Sequence, residues 1–172
     1  MRVTIETERL ILRPVYPEDA EAIFKWAGDP VVNEFMIYPL HPNVDATREW
    51  LKSRDIDDPD ECDLGFTLKE TGELIGMGGL CYDKENDRWT VGYNLRADKW
   101  GNGYVPEAIK GIIDYVDKIR PIRAIQGVYC KQNKKSGRVM EKLGMHFLKD
   151  TTYSKTDGSV TYDANEYIRE FR

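Results

Sequence analysis

Residues 91–116, VGYNLRADKWGNGYVPEAIKGIIDYV, restrict the fold of this chain more than any other stretch. Val91 to Leu95 reads as a strand. It feeds a tight loop, Trp100-Gly101-Asn102-Gly103-Tyr104, which opens directly onto an amphipathic helix. Pro106 suits the first helical position, where a missing N–H costs nothing. Glu107 sits in the first turn, where the helix dipole favours an acid. Ala108, Ile109, Ile112, Ile113 and Val116 form one apolar stripe at helical spacing. A helix N-terminus presents unpaired N–H groups and a partial positive charge. Glycines just before it admit a ligand close to the backbone. Together they make an anion site, most often for phosphate. Spacing alone leaves a second reading open, in which Gly101 and Gly103 only make a tight strand-to-helix turn.

The neighbouring segments supply a sheet for that unit. ERLILRP (8–14) alternates as a first strand, and Pro17-Glu18-Asp19 starts a helix through Ala27. Residues 31–42 read as a loop or short helix rich in large side chains. Asn43 caps a second helix through Arg54. The acidic run DIDDPDECD (55–63) reads as a solvated connection, with an amine-steering patch as the alternative. LGFTLK (64–69) and ELIGMGGLCY (73–82) flank the turn Glu70-Thr71-Gly72 as a hairpin. Gly76, Gly78 and Gly79 point to a bulge or a close backbone approach. RWTVGYNLR (88–96) is the third strand of this meander.

After the central helix, IRAIQGVYC (122–130) is another strand. A strand, a helix and a strand of these lengths predict a right-handed crossover with parallel strands. Ligands bind such units outside the carboxyl ends of the strands, here Asn94-Leu95 and Tyr129-Cys130, beside the glycine loop. Asn133 caps a short helix, whose inward face is Ser136, Val139, Met140 and Leu143 and whose stop residue is Gly144. The remainder reads as a hairpin about Thr156-Asp157-Gly158.

At 172 residues the chain is expected to form one domain, residues 1–172. A net charge of −5 disfavours nucleic acid as the main partner and suits cationic substrates such as amines. No apolar run approaches a membrane span, and MRVTIETERL lacks a signal-peptide core. Cys62, Cys81 and Cys130 show no zinc-ligand spacing and read as reduced thiols in the cytoplasm. Neither these cysteines nor His41 and His146 form a metal pattern, and no metal is expected.

WGNGYVPEA closely resembles the acyl-CoA pyrophosphate loop of the GNAT acetyltransferase superfamily. It is most similar to the branch that includes ribosomal-protein N-terminal acetyltransferases, where the loop reads W-G-x-G-Y-A-x-E-A. Val105 stands where a small residue is usual and Pro106 where Thr or Ser is usual. ETERLILRP, TGELIGMGGL and NKKSGRVMEKLGM resemble further segments of the same branch, so the likeness spans nearly the whole chain. The resemblance implies an α/β (α+β) fold: a mixed, mostly antiparallel sheet with a central parallel βαβ crossover, flanked by helices. The sheet splays between its two central parallel strands. Acetyl-CoA, as acyl donor, lies in that opening against Asn94, Leu95, Arg96, Trp100, Gly101, Asn102, Gly103, Tyr104 and Val105, with Asn133 and Ser136 as further contacts. Edges of such sheets often pair, which leaves a homodimer open without fixing the oligomeric state.

Acetyl transfer to an amine needs a held thioester, a neutral amine, a donor for the developing oxyanion and a proton for the departing thiolate. Backbone N–H groups near Leu95 are expected to polarise the thioester carbonyl, as in the family. A lysine-like amine, with pKa about 10.4, is almost wholly protonated at neutral pH, whereas a chain N-terminus is partly neutral. Many members of the branch carry a Glu base where this chain has Thr90, and many GNAT enzymes carry a Tyr acid where it has Met140. Ser136, Asn133 and Tyr93 are therefore the catalytic candidates, although Asn133 equally suits a helix cap and Tyr93 a strand position. The expected activity is N-acetylation of a primary amine, either a protein N-terminus or a small molecule. A non-catalytic acyl-CoA-binding module is the alternative.

Overall fold

The computed structural model of the chain describes residues 1–171. Its eight strands form one sheet in the order β1-β2-β3-β4-β5-β6-β8-β7. They are β1 (Ile5–Glu6), β2 (Leu10–Arg13), β3 (Glu61–Leu68), β4 (Leu74–Asp83), β5 (Arg88–Leu95), β6 (Ala124–Cys130), β7 (His146–Ser154) and β8 (Thr161–Glu170). The helices are α1 (Ala20–Ala27), α2 (Pro30–Asn33), α3 (Val44–Ser53), α4 (Tyr104–Ile119) and α5 (Lys134–Lys142). Every neighbouring pair is antiparallel except β5 and β6. That pair is the predicted crossover, with α4 between its strands.

The sheet separates two apolar layers by the period-2 alternation of its strands. On β3, Cys62, Leu64, Phe66 and Leu68 join the stripe of α4, namely Ala108, Ile109, Ile112, Ile113 and Val116, in the larger core. Each large aliphatic side chain of that stripe contributes about 1.5–3 kcal/mol by leaving water. Val15, Ile23, Trp26, Leu51, Leu74 and Met77 form the second core, where α1 and α3 cover the opposite face.

Two local readings are corrected, and the alternative left open for the β4 glycines is decided. Helix α4 begins at Tyr104, capped by Gly103, so Pro106 is its third residue. The missing N–H is still harmless, because the third position has no intrahelical acceptor. Strand β3 begins at Glu61, three residues before the expected start, so the acidic run is only partly a loop. Its loop portion is also anchored: Asp60 meets Lys84 and Arg120 at 2.6 and 2.7 Å. The β4 glycines mark close approach. A Cβ on Gly79 would fall 1.8 Å from the Cys62 carbonyl oxygen, and one on Gly78 2.5 Å from that of Gly92. The register irregularity lies just before them: β4 carries one extra residue, Ile75, between the Thr67–Leu74 and Phe66–Gly76 pairs.

Candidate active site

The parallel ladder between β5 and β6 has only two registered pairs, Trp89 with Ile125 and Thr90 with Gln126. Beyond residue 90 the strands part. The Arg96 N–H bonds the Ile75 carbonyl on β4. Antiparallel alternation therefore turns the N–H groups of Leu95 and Tyr93 the other way, into the opening.

The glycine loop stands at the mouth of this opening. Gly101 and Gly103 have φ of 80° and 77°, a left-handed conformation that explains both glycines. Among the described residues, the N–H groups of Gly101, Asn102, Gly103, Tyr104 and Val105 have no protein acceptor. They form a run of free donors at a helix N-terminus, which suits a phosphate. The Val105 side chain is buried in the core, so only its N–H is available to a ligand. Trp100 donates its indole N–H to the Leu95 carbonyl at 2.9 Å, which ties the loop to β5. The Arg96 guanidinium is engaged with Asp98 at 2.6 Å and with Glu73.

Sequence reasoning missed the loop's brace. Glu107 accepts from the Thr7 hydroxyl, the Arg9 N–H and the Arg9 guanidinium, each at 2.7 Å. Arg9 also donates to the Asn102 carbonyl at 2.9 Å and lies over the Tyr104 ring. Burial pushes the Glu107 carboxyl up, but these donors outweigh it and hold it below its ordinary value. Lys135 sits 4.1 Å above the Trp100 ring, so the loop is flanked by two cations. No sequence spacing pairs Arg9 with a loop 93 residues away.

Tyr93 and Ser136 come together, with the Tyr93 hydroxyl 2.9 Å from both the carbonyl oxygen and Oγ of Ser136. Burial raises the Tyr93 pKa, so the phenol stays protonated at neutral pH. Asn133 caps α5 by accepting from the Ser136 N–H at 3.4 Å.

On the opposite face of β5, the opening continues into a cavity of about 850 Å³. Its floor is two cross-strand rows, Glu61–Cys81–Thr90 and Asp63–Gly79–Gly92, with the Met77–Asn94 pair of the next row beside them. Its outer wall is the 35–42 segment, carrying Phe35, Met36, Tyr38 and His41. A strap from the last hairpin holds that wall. Lys155 donates to the Asn33 and Met36 carbonyls at 2.9 and 2.7 Å, and the Tyr153 hydroxyl to the Phe35 carbonyl at 2.6 Å. The Asn94 amide N–H donates to the Tyr38 hydroxyl at 3.1 Å, while its oxygen is buried without a partner. Burial raises the Tyr38 phenol to about 12.

Glu61 and Asp63 also face this cavity, which corrects the solvated reading of their run. Strand alternation turns both toward the cavity and sends Cys62 into the core. Arg54 joins them, at 2.9 Å from Glu61 and 2.8 Å from Asp63. Burial pushes the Asp63 carboxyl up to about 6, against the opposing pull of Arg54.

Comparison with known proteins agrees with this layout. The acetyltransferase (GNAT) domain family matches residues 9–146. The N-acetyltransferase p20 of Bacillus licheniformis is 30% identical over 163 residues, covering 91% of this chain and 90% of that protein. The ribosomal protein uS5-alanine N-acetyltransferase of Escherichia coli is 26% identical over 83% of this chain and 78% of its own length. The crystal structure of the microcin C7 self-immunity acetyltransferase, in complex with acetyl-CoA and AMP, has the same fold, with a TM-score of 0.78 and 21% identity over 95% of this chain and 93% of its own. The family match takes in the glycine loop, the parting strands and the Tyr93–Ser136 contact, and with it the chain belongs to the GNAT family of acetyltransferases.

Proposed function

We propose that residues 1–172 act as one acetyltransferase domain that transfers the acetyl group of acetyl-CoA to a primary amine by direct attack on the thioester. The observation that carries this reading is the parting of β5 from β6 immediately beside a run of free N–H donors. When bound, acetyl-CoA supplies the activated acyl group. The residues present fit it: the donors at 101–105 suit a pyrophosphate, and the opening runs from that loop to the cavity.

In this reading the N–H groups of Leu95 and Tyr93 polarise the thioester carbonyl and receive its developing negative charge. Tyr93 and Ser136 deliver the proton that the departing thiolate needs, Tyr93 staying protonated for that purpose. Asn133 orients Ser136 through the helix cap. The cavity beyond Gly92 admits the amine. The edge strand β7 leaves Phe147 and Leu148 exposed, which supports a homodimer paired through that edge.

Calorimetry with acetyl-CoA, and with ATP as control, tests the site. Micromolar binding of acetyl-CoA alone, followed by CoA release in the presence of amines, is the expected result. Equal binding of ATP, or no binding, would overturn it. Binding without CoA release to any amine would leave an acyl-CoA-binding module instead.

A further inference from the structure

We propose that the Asp63 carboxylate is the proton acceptor for an ammonium substrate, and that this substrate is a small primary amine on an apolar or aromatic body. The proposal rests on the reading that acetyl-CoA occupies the β5–β6 opening.

Register is the first support. Thr90, which has no base to offer, shares its cross-strand row with Glu61, and Asp63 lies one row further along. The two carboxylates are not equivalent. Cys81 and Thr90 stand between Glu61 and the opening. Only glycines, Gly79 and Gly92, lie between Asp63 and the opening. A Cβ built on Gly92 would meet nothing within 4 Å, so that end of the trough is clear. Two strand spacings put the Asp63 and Gly92 backbones about 10 Å apart. A carboxylate, one amine nitrogen at hydrogen-bond reach and a carbonyl carbon fill such a gap.

A second support is the unpartnered Asn94 oxygen, buried in the adjacent row. It lies one row from the Asp63 carboxylate, which accepts from Arg54 through Oδ2 at 2.8 Å, and an ammonium group between the two supplies N–H donors to both. The body of the substrate then meets Trp26, Phe35, Tyr38 and Trp50, which line the same cavity. Hydrophobic walls with few convergent polar groups are the pattern of a small-molecule site.

The charged and titratable groups facing Asp63 are Arg54 from the end of α3, Glu61 on its own strand, Cys81 on β4, and Tyr38 and His41 from the outer wall. The Met1 ammonium donates to the Glu61 carbonyl just behind. Arg54 favours the charged carboxylate and burial makes it more basic, so that above about pH 6 it is ionised and free to accept a proton from the substrate.

The step balances. Asp63 takes one proton from R–NH3⁺, and the freed nitrogen pair forms the C–N bond as the C–S bond breaks. The nitrogen loses one further proton, the thiolate gains one, and the Asp63 proton leaves to water. The products are the amide, CoA thiol and one proton.

The test follows kcat/KM between pH 7 and 9, with acetyl-CoA and 2-phenylethylamine, for the wild type and for Asp63→Asn. An enzyme with its own base uses the abundant ammonium form, so the wild-type profile should be nearly flat. The variant should use only free amine. Its profile should start about 100-fold lower and rise about tenfold per pH unit. Asp63→Glu should restore the plateau. A damaged fold would lower the variant's rate without changing its slope. Equal slopes in the two proteins would overturn the proposal, and so would a wild-type profile that itself rises tenfold per unit. Equal or better turnover of ethanolamine, or of a peptide with an alanine N-terminus, would overturn the substrate class. A wild type that binds no acetyl-CoA, or releases no CoA with any amine, would instead sink the function proposed above.

Discussion

The hydroxyl of Tyr93 lies 2.9 Å from two oxygens of Ser136, its main-chain carbonyl and its Oγ. The contact joins β5 to the first turn of α5 across the point where the central strands part. It fastens helix to strand, and it sets a protonated phenol beside a second hydroxyl.

Replacing Tyr93 by Phe separates these roles. Loss of the buried hydrogen bond should cost about 1 kcal/mol in stability. Loss of the proton relay should lower kcat about 100-fold. Tyr93→Phe combined with Ser136→Ala should be little worse than the weaker single variant, since the pair acts as a unit. The checks are denaturant melts and CoA release at saturating acetyl-CoA. An unchanged kcat would leave the contact a purely structural one.

Two glycines should respond differently to Ala. At Gly103, with φ 77°, the left-handed conformation should cost about 1–2 kcal/mol and weaken acetyl-CoA binding by calorimetry. At Gly92 the added methyl meets nothing within 4 Å, so the melting temperature should hold. It should still raise KM for the amine, because the methyl enters the trough before Asp63.

Glu107→Gln tests the brace under the loop. The carboxylate is largely covered, with 17% of its side chain exposed, and accepts three hydrogen bonds. Its loss should cost about 2 kcal/mol, or roughly 4–8 °C in melting temperature for a chain of this size. The folded-state pKa is depressed, so this stability is present above the ordinary value of 4.5 and is lost as pH falls through the lower folded value. The gap between wild type and variant should therefore be widest near neutral pH and narrow below pH 4.5.

Lys155→Met should release the outer wall. Burial lowers the Lys155 pKa, yet the ammonium still holds carbonyl oxygens from Asn33 and Met36. Hydrogen exchange should accelerate across residues 34–40, and KM for the amine should rise. Acetyl-CoA affinity should not move, because the glycine loop lies elsewhere. Unchanged exchange in that segment would mean that Tyr153 suffices together with Tyr162, whose hydroxyl donates to the Glu34 carbonyl.

The crossover and its site were legible because their signals are local. Alternation gave β5, the glycines gave the loop, and the Ala108–Val116 stripe gave α4. Asn43 and Asn133 were legible as caps from the side-chain oxygen placed before each helix. What was not legible depends on register. Asp63 could not be placed across from Gly92 without knowing how β3, β4 and β5 pair. It also sat in an acidic run whose composition matched a loop. The Arg9–Glu107 brace and the Lys155 strap join residues about a hundred positions apart, and no periodicity reports such contacts. Pro106 misled by one half-turn, since helix starts tolerate proline anywhere before the first intrahelical donor.

The strap fixes an order of assembly. The glycine loop, α4 and β5 lie within one short stretch and can form while the chain is still being made. The outer wall depends on Tyr153 and Lys155, which are 118 and 119 residues from Phe35 and Met36. Closing so long a loop is slow relative to local structure. The donor side of the active site should therefore mature first. The acceptor pocket should take shape last, when the final hairpin docks, and a chain stopped before Tyr153 would hold that wall only through shorter-range bonds such as those of Asn33 and Asn94 to Tyr38.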